Sequence, residues 1–158
     1  MKQTIIKLFL LIFLLPTTSC GFKIINKTEL NNFTIDEIKS TGDKRINYKI
    51  KNGLLINSSE SSTNIISLNI NVIKVKEIKE KNLKNEVTKY AIAINVSTKI
   101  EFKDQRDDYT ISTLKEGDFL VGSTYIKTLN NEKKLVENLT ENIFKSILKE
   151  INYKLNDL

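Results

Sequence analysis

The sequence predicts an α+β fold: an antiparallel sheet of about four strands with two helices packed on one face. Three observations carry this. Long segments between residues 66 and 125 alternate apolar and polar side chains, the period of a half-buried strand. Ile46, Ile50 and Leu54 recur at four-residue spacing, the mark of one helix face. Leu135, Leu139, Ile143, Ile147 and Ile151 form a second, longer stripe of the same kind.

Taken in order, the chain begins Met1-Lys2-Gln3, runs apolar from Ile5 to Leu15, and reaches Pro16-Thr17-Thr18-Ser19-Cys20-Gly21-Phe22. A basic head, a short apolar core and small residues before a boundary make a secretory signal over residues 1–19. The apolar run is shorter than the roughly 20 residues that span a bilayer. The boundary falls on the single cysteine, and this arrangement resembles a bacterial lipobox. Thr17 stands where Leu is usual, and Leu15 lies two residues earlier. Two readings are open. Either Cys20 is lipidated and begins the mature chain, or it is a stray thiol beside an ordinary signal. An unpartnered cysteine in an oxidising compartment favours the first. In lipoproteins of this kind Asp after the cysteine retains the protein at the inner membrane. Gly21 therefore implies, by resemblance, sorting to the outer membrane.

Residues 20–158 are one domain's worth of chain. Phe22-Lys23-Ile24-Ile25 reads as a short strand and residues 26–32 as a loop. Phe33, Ile35 and Ile38 mark a first long strand that ends at Thr41-Gly42. Asp43 follows as a helix N-cap, and Gly53 weakens the end of that helix. Residues 57–62 are a polar connection. Ile66, Leu68, Ile70 and Val72 then share a strand face, after which Ile73 and Val75 take the other parity. That slip predicts a β-bulge or twist near Val72-Ile73. Residues 79–85 read as a charged hairpin tip. Tyr90, Ile92, Ile94, Val96, Ile100 and Phe102 line one face of the return strand. After a charged turn over 103–108, Tyr109, Ile111 and Thr113 alternate, then Phe119, Val121, Ser123 and Tyr125. Asn130 or Asn131 caps the last helix, with Glu132 in its first turn. Val136, Phe144 and Leu148 widen its stripe enough to cover a sheet face, so these residues are core.

Composition excludes several functions. The chain carries 25 Lys and Arg against 19 Asp and Glu. Losing Lys2 and Lys7 with the signal leaves a mature balance of +4. Arginine occurs only at Arg45 and Arg106, and the lysines are interspersed with acids, which is unlike a nucleic-acid surface. There is no histidine, so the commonest general base and metal ligand are both missing. No phosphate-binding glycine loop occurs. Asp107-Asp108 reads as a solvated turn rather than an acid–base pair. No catalytic residue, metal ligand or cofactor site is therefore assigned, and the chain is expected not to be an enzyme.

The order of these features resembles the LptE-type family of LPS-assembly lipoproteins. The resemblance begins at Cys20-Gly21-Phe22, continues through Ser67-Leu68-Asn69-Ile70 and Asn85-Glu86-Val87-Thr88-Lys89-Tyr90, and ends at Asn130-Asn131-Glu132 before the apolar stripe. It covers nearly the whole mature chain. It implies a lipid-anchored protein, acylated (palmitate included) at Cys20, on the periplasmic side of the outer membrane. It also implies two partners: the LptD-type β-barrel that inserts lipopolysaccharide, which the lipoprotein plugs and helps assemble, and lipopolysaccharide itself. In that family, basic loop residues contact the glycolipid. Lys84 matches this pattern best, Lys81 lies beside it, and Lys127 and Lys133 flank the second loop, where Asn130-Asn131 depart from the pattern. Two other classes remain open: a tethered periplasmic adaptor for another envelope complex, and a lipid-anchored enzyme.

Overall fold

The fold is taken from a computed structural model that describes residues 33–104 and 107–156. The signal, Cys20, the strand expected over 22–25 and the loop over 26–32 lie outside the described residues. The elements are β1 (Thr34–Gly42), α1 (Lys44–Ile56), β2 (Ile65–Lys81), β3 (Val87–Phe102), β4 (Tyr109–Leu120) and α2 (Tyr125–Asn156). One four-stranded sheet runs β1-β2-β3-β4, and the α+β class is as expected.

The sheet is mixed rather than wholly antiparallel, because β1 pairs parallel to β2. A helix between two neighbouring strands returns the chain to the end where it started, and a parallel pair results. Gly42 ends β1 at φ +89°, where a Cβ would fall on the Val72 carbonyl. Asp43 then caps α1, its Oδ1 accepting the Arg45 and Ile46 amides at 3.0 Å each. Its other oxygen meets Lys74 Nζ at 3.3 Å.

No bulge occurs at Val72-Ile73. β2 and β3 keep one register from Ile66 opposite Phe102 to Ile78 opposite Tyr90, and the irregularities come later, beside Glu80. Ile73 and Val75 instead face away from the helices and are exposed. The hairpin tip is also tighter than expected. β2 continues to Lys81, and the turn is built on Asn82, whose Oδ1 accepts the Lys84 and Glu86 amides. Asn85 takes the left-handed conformation at φ 64° that closes it.

The last helix starts earlier than expected. β4 ends at Leu120, so Val121, Ser123 and Tyr125 are not strand residues. Thr124 Oγ1 accepts the Lys127 amide at 3.2 Å and serves as the cap. Asn131 lies within the helix and donates to the Leu120 carbonyl, and Glu132 pairs with Lys76 rather than opening the helix. At 32 residues, α2 is about 48 Å long and returns along the sheet.

Both helices cover the same sheet face. The core joins Ile46, Ile50 and Leu54 of α1 to Ile66, Leu68, Ile70 and Val72 of β2, alternate β3 residues, and Leu139, Ile143, Ile147 and Ile151 of α2. Burying each such side chain stabilises by about 1.5–3 kcal/mol. Two glycines permit close approach. A Cβ on Gly53 would meet the Phe144 ring at 2.9 Å, and one on Gly117 would meet Leu135 at 2.8 Å. Gly53 therefore does not end α1; it admits a ring from α2.

Thr98 is fully buried on β3, and its hydroxyl has no hydrogen-bond partner among the described residues. Thr98→Val removes that unpaired group at nearly constant shape, and it should stabilise the domain by about 1 kcal/mol in urea melts. A lower melting midpoint would contradict this.

Burial alone would raise the Asp43 carboxyl pKa. The Ile46 amide, the Lys74 ammonium and the Arg45 amide outweigh that effect and hold it below its ordinary value. The charged form is thus favoured by folding. The resulting stability is complete above about pH 4, the unfolded value, and is lost as pH falls through the lower folded value. Asp43→Asn keeps a capping oxygen without the charge. Its deficit against wild type should be present at about pH 7 and shrink at about pH 3.

Candidate functional site

The domain has two distinct ends. Phe33 and Thr34 enter beside the start of β2, with the Thr34 amide bonded to the Asn64 carbonyl at 2.8 Å. The β2–β3 turn lies at the other end. The 17 residues of β2 separate them by roughly 55 Å. The β4–α2 connection shares the far end with the turn, because the Val121 amide bonds the Thr88 carbonyl at 2.9 Å.

Three of the four lysines singled out from the sequence lie on elements that share this far end. Lys81 closes β2, with Nζ 3.0 Å from Asn85 Oδ1. Lys84 stands in the turn and is exposed. Lys127 is in the first turn of α2, with Nζ 3.4 Å from Ser123 Oγ. None of the three forms a salt bridge with a described residue. Elsewhere the pattern differs. Lys74 pairs with Asp43, Lys76 with Glu132, Lys79 with Asp118, and Lys99 with Asp108. The hydrogen bond to Asp118 raises the Lys79 pKa further. A lysine already paired with an acid is a poorer anion site, so Lys81, Lys84 and Lys127 are better placed to meet an anionic ligand than the paired strand lysines.

Lys133 is not part of this group. It lies six residues along α2 from Lys127, about 9 Å, and lines a separate groove beside the α1 N-terminus. That groove is about 290 Å³, with Ile46, Leu129 and Val136 in its lining. Its acids are engaged: Glu137 bonds Lys49 at 3.2 Å, and that bond holds the Glu137 carboxyl below its ordinary range.

The sequence reading missed the apolar half of the far-end site. Leu83 is fully exposed beside Lys84, and Leu120, Tyr125 and Ile126 are exposed at 60%, 76% and 69% around Lys127. Leu83 was legible as the one large apolar residue in a charged turn. Tyr125 was assigned to a strand face, which concealed that it opens a helix. Lysines interleaved with exposed aliphatic and aromatic groups can hold a ligand that is anionic at one end and apolar at the other. Among the described residues no group of acids and sulfur ligands is arranged to hold a metal ion. Asp108 is tied to Lys99 at 2.7 Å, as a solvated turn requires.

No protein-family model and no curated protein sequence matches this chain. Solved structures do. Rare lipoprotein B from Shewanella oneidensis superposes with a TM-score of 0.60 at 11% identity, over 77% of this chain and 98% of that one. A proposed lipoprotein from Caulobacter crescentus gives 0.57 at 11% identity, over 83% and 95%. An uncharacterized lipoprotein B from Nitrosomonas europaea gives 0.52 at 12% identity, over 86% and 93%. At such identities the similarity establishes a shared fold, and this α+β architecture is one that bacterial lipoproteins adopt.

Changing Lys81 and Lys84 together to Glu replaces attraction to phosphate with repulsion. If this end holds lipopolysaccharide, as the resemblance implies, the affinity of the purified domain for it should fall at least about tenfold at low salt, where screening is least, with the thermal melt unchanged. Unchanged affinity would leave these lysines as ordinary surface charge.

Proposed function

We propose that this chain is an outer-membrane lipoprotein that plugs and helps assemble the lipopolysaccharide-translocating β-barrel and binds lipopolysaccharide. The observation that carries this is the far end, where Lys81, Lys84 and Lys127 form no salt bridge with a described residue and stand among exposed Leu83, Leu120, Tyr125 and Ile126. Lipopolysaccharide joins phosphates to acyl chains, so a surface that binds it needs cations beside apolar groups.

The resemblance to LptE-type lipoproteins and the fold shared with rare lipoprotein B support the same reading. So does the outer sheet face near the Phe33 end. Asn69, Asn71, Ser97 and Ser112 make it polar, which suits the polar interior of a barrel. The lipid on Cys20 tethers the domain, and more than one acyl chain is needed for a stable anchor. Gly21 after the cysteine directs it to the outer membrane. The protein acts by binding and by assembly, with no reaction assigned to it.

Affinity purification of the chain from detergent-solubilised outer membranes should bring down a large β-barrel protein. Depleting the chain should leave that barrel misassembled and lipopolysaccharide stalled before the surface. Unchanged barrel abundance and unchanged surface lipopolysaccharide would overturn the proposal.

A further inference from the structure

The outer sheet face changes character halfway along. Near the Phe33 end it carries amides and hydroxyls. Beyond Val72 the helix side of β2 presents Lys74 and Lys76, and the apolar residues Ile73 and Val75 turn to the open side, 52% and 43% exposed. The register aligns them in rows across three strands. Ile73, Asn95 and Leu114 form one row; Val75, Ala93 and Glu116 the next; Glu77, Ala91 and Asp118 the third. Small residues on the central strand between larger ones on its neighbours make a trench. It is about 300 Å³, floored by Ala91 and Ala93, and its walls stand roughly 10 Å apart, two strand spacings.

The charge of the trench is specific. Lys79 is paired to Asp118. Glu77 and Glu116, on opposite walls, form no salt bridge with a described residue. An apolar floor between two such acids is a binding surface for a side chain that is apolar along its stem and basic at its tip, or for neighbouring side chains of those two kinds. An anionic lipid surface would be repelled by these walls, and a second copy would bring the same acids to the contact.

We propose that this trench docks a segment of a protein partner that lays an aliphatic or aromatic side chain over Ala91 and Ala93 and places a Lys or Arg between Glu77 and Glu116. The inference rests on the proposed function only in taking the barrel as the protein that supplies the segment. Complementary charge sets the register of such a contact, and reversing it places like charges together and weakens the contact.

The test uses the full-length lipoprotein in cells, with a photoreactive phenylalanine analogue at position 93 or, as a control on the same sheet face, at position 110. Position 93 should give an adduct that depends on the charges of Glu77 and Glu116, and any adduct from position 110, on the polar half of the face, should be indifferent to them. The position-93 adduct should map to a partner peptide containing Lys or Arg. Glu77→Lys with Glu116→Lys should reduce it at least about tenfold. The milder Glu77→Gln with Glu116→Gln should reduce it in the same direction, with the thermal melt unchanged. An adduct to a second copy or to lipid, or a position-93 adduct indifferent to both charge variants, would overturn the proposal. If the barrel co-purifies and position 93 gives no adduct, the docking surface fails alone. If the barrel does not co-purify and position 93 still gives a charge-sensitive adduct to a basic segment of another envelope protein, the docking surface stands and the barrel reading falls.

Discussion

The uninterrupted pairing of β2 with β3 governs the rest of this molecule. From Ile66 to Ile78 the ladder runs without a shift, so each side chain's face follows from its parity alone. A sequence that changes its apolar parity at Ile73 must then change which face is apolar. The strand cannot absorb the change in a bulge, and it expresses it as surface. On β2 the helix side then carries Lys74 and Lys76, and the open side carries Ile73 and Val75.

Both consequences have structural uses. Lys74 and Lys76 emerge where the core would otherwise end exposed. Lys74 reaches the cap of α1, and Lys76 reaches Glu132 of α2 at 2.6 Å. Lys76 also lies 4.4 Å from the Tyr90 ring centroid and 5.1 Å from that of Phe119. Those two rings stack at 5.5 Å and close the core at this end. Two strand lysines thus orient two helices, and the glycines at 53 and 117 allow those helices to sit close. The partly exposed pairs add little energy individually; their effect is on geometry.

Length also separates functions. A strand of 17 residues is far beyond the usual five or six, and it puts the turn carrying Lys81, Leu83 and Lys84 at the opposite end from where the chain enters the domain. A protein tethered through its N-terminal side would thereby present its ligand end well away from the tether. Lys81 and Lys84 there form no salt bridge with a described residue, whereas Lys74, Lys76 and Lys99 along the sheet are each paired with an acid.

Much of this was legible in the sequence because it depends on local periodicity. The apolar stripe of α2, the cap at Asp43, the end of β1 at Gly42 and the inward face of β3 from Tyr90 to Phe102 all follow from residue spacing and turn chemistry. Lys81 and Lys84 were legible as a basic turn. What depended on neighbours distant in the chain was not. The parallel direction of β1, the early start of α2 at Tyr125 and the separation of Lys133 from the other lysines follow from how elements pack. Whether Ile73 and Val75 marked a bulge or an exposed patch was decided by the register against β3. Periodicity reports which residues share a face; only the pairing of strands in three dimensions determines whether anything covers it.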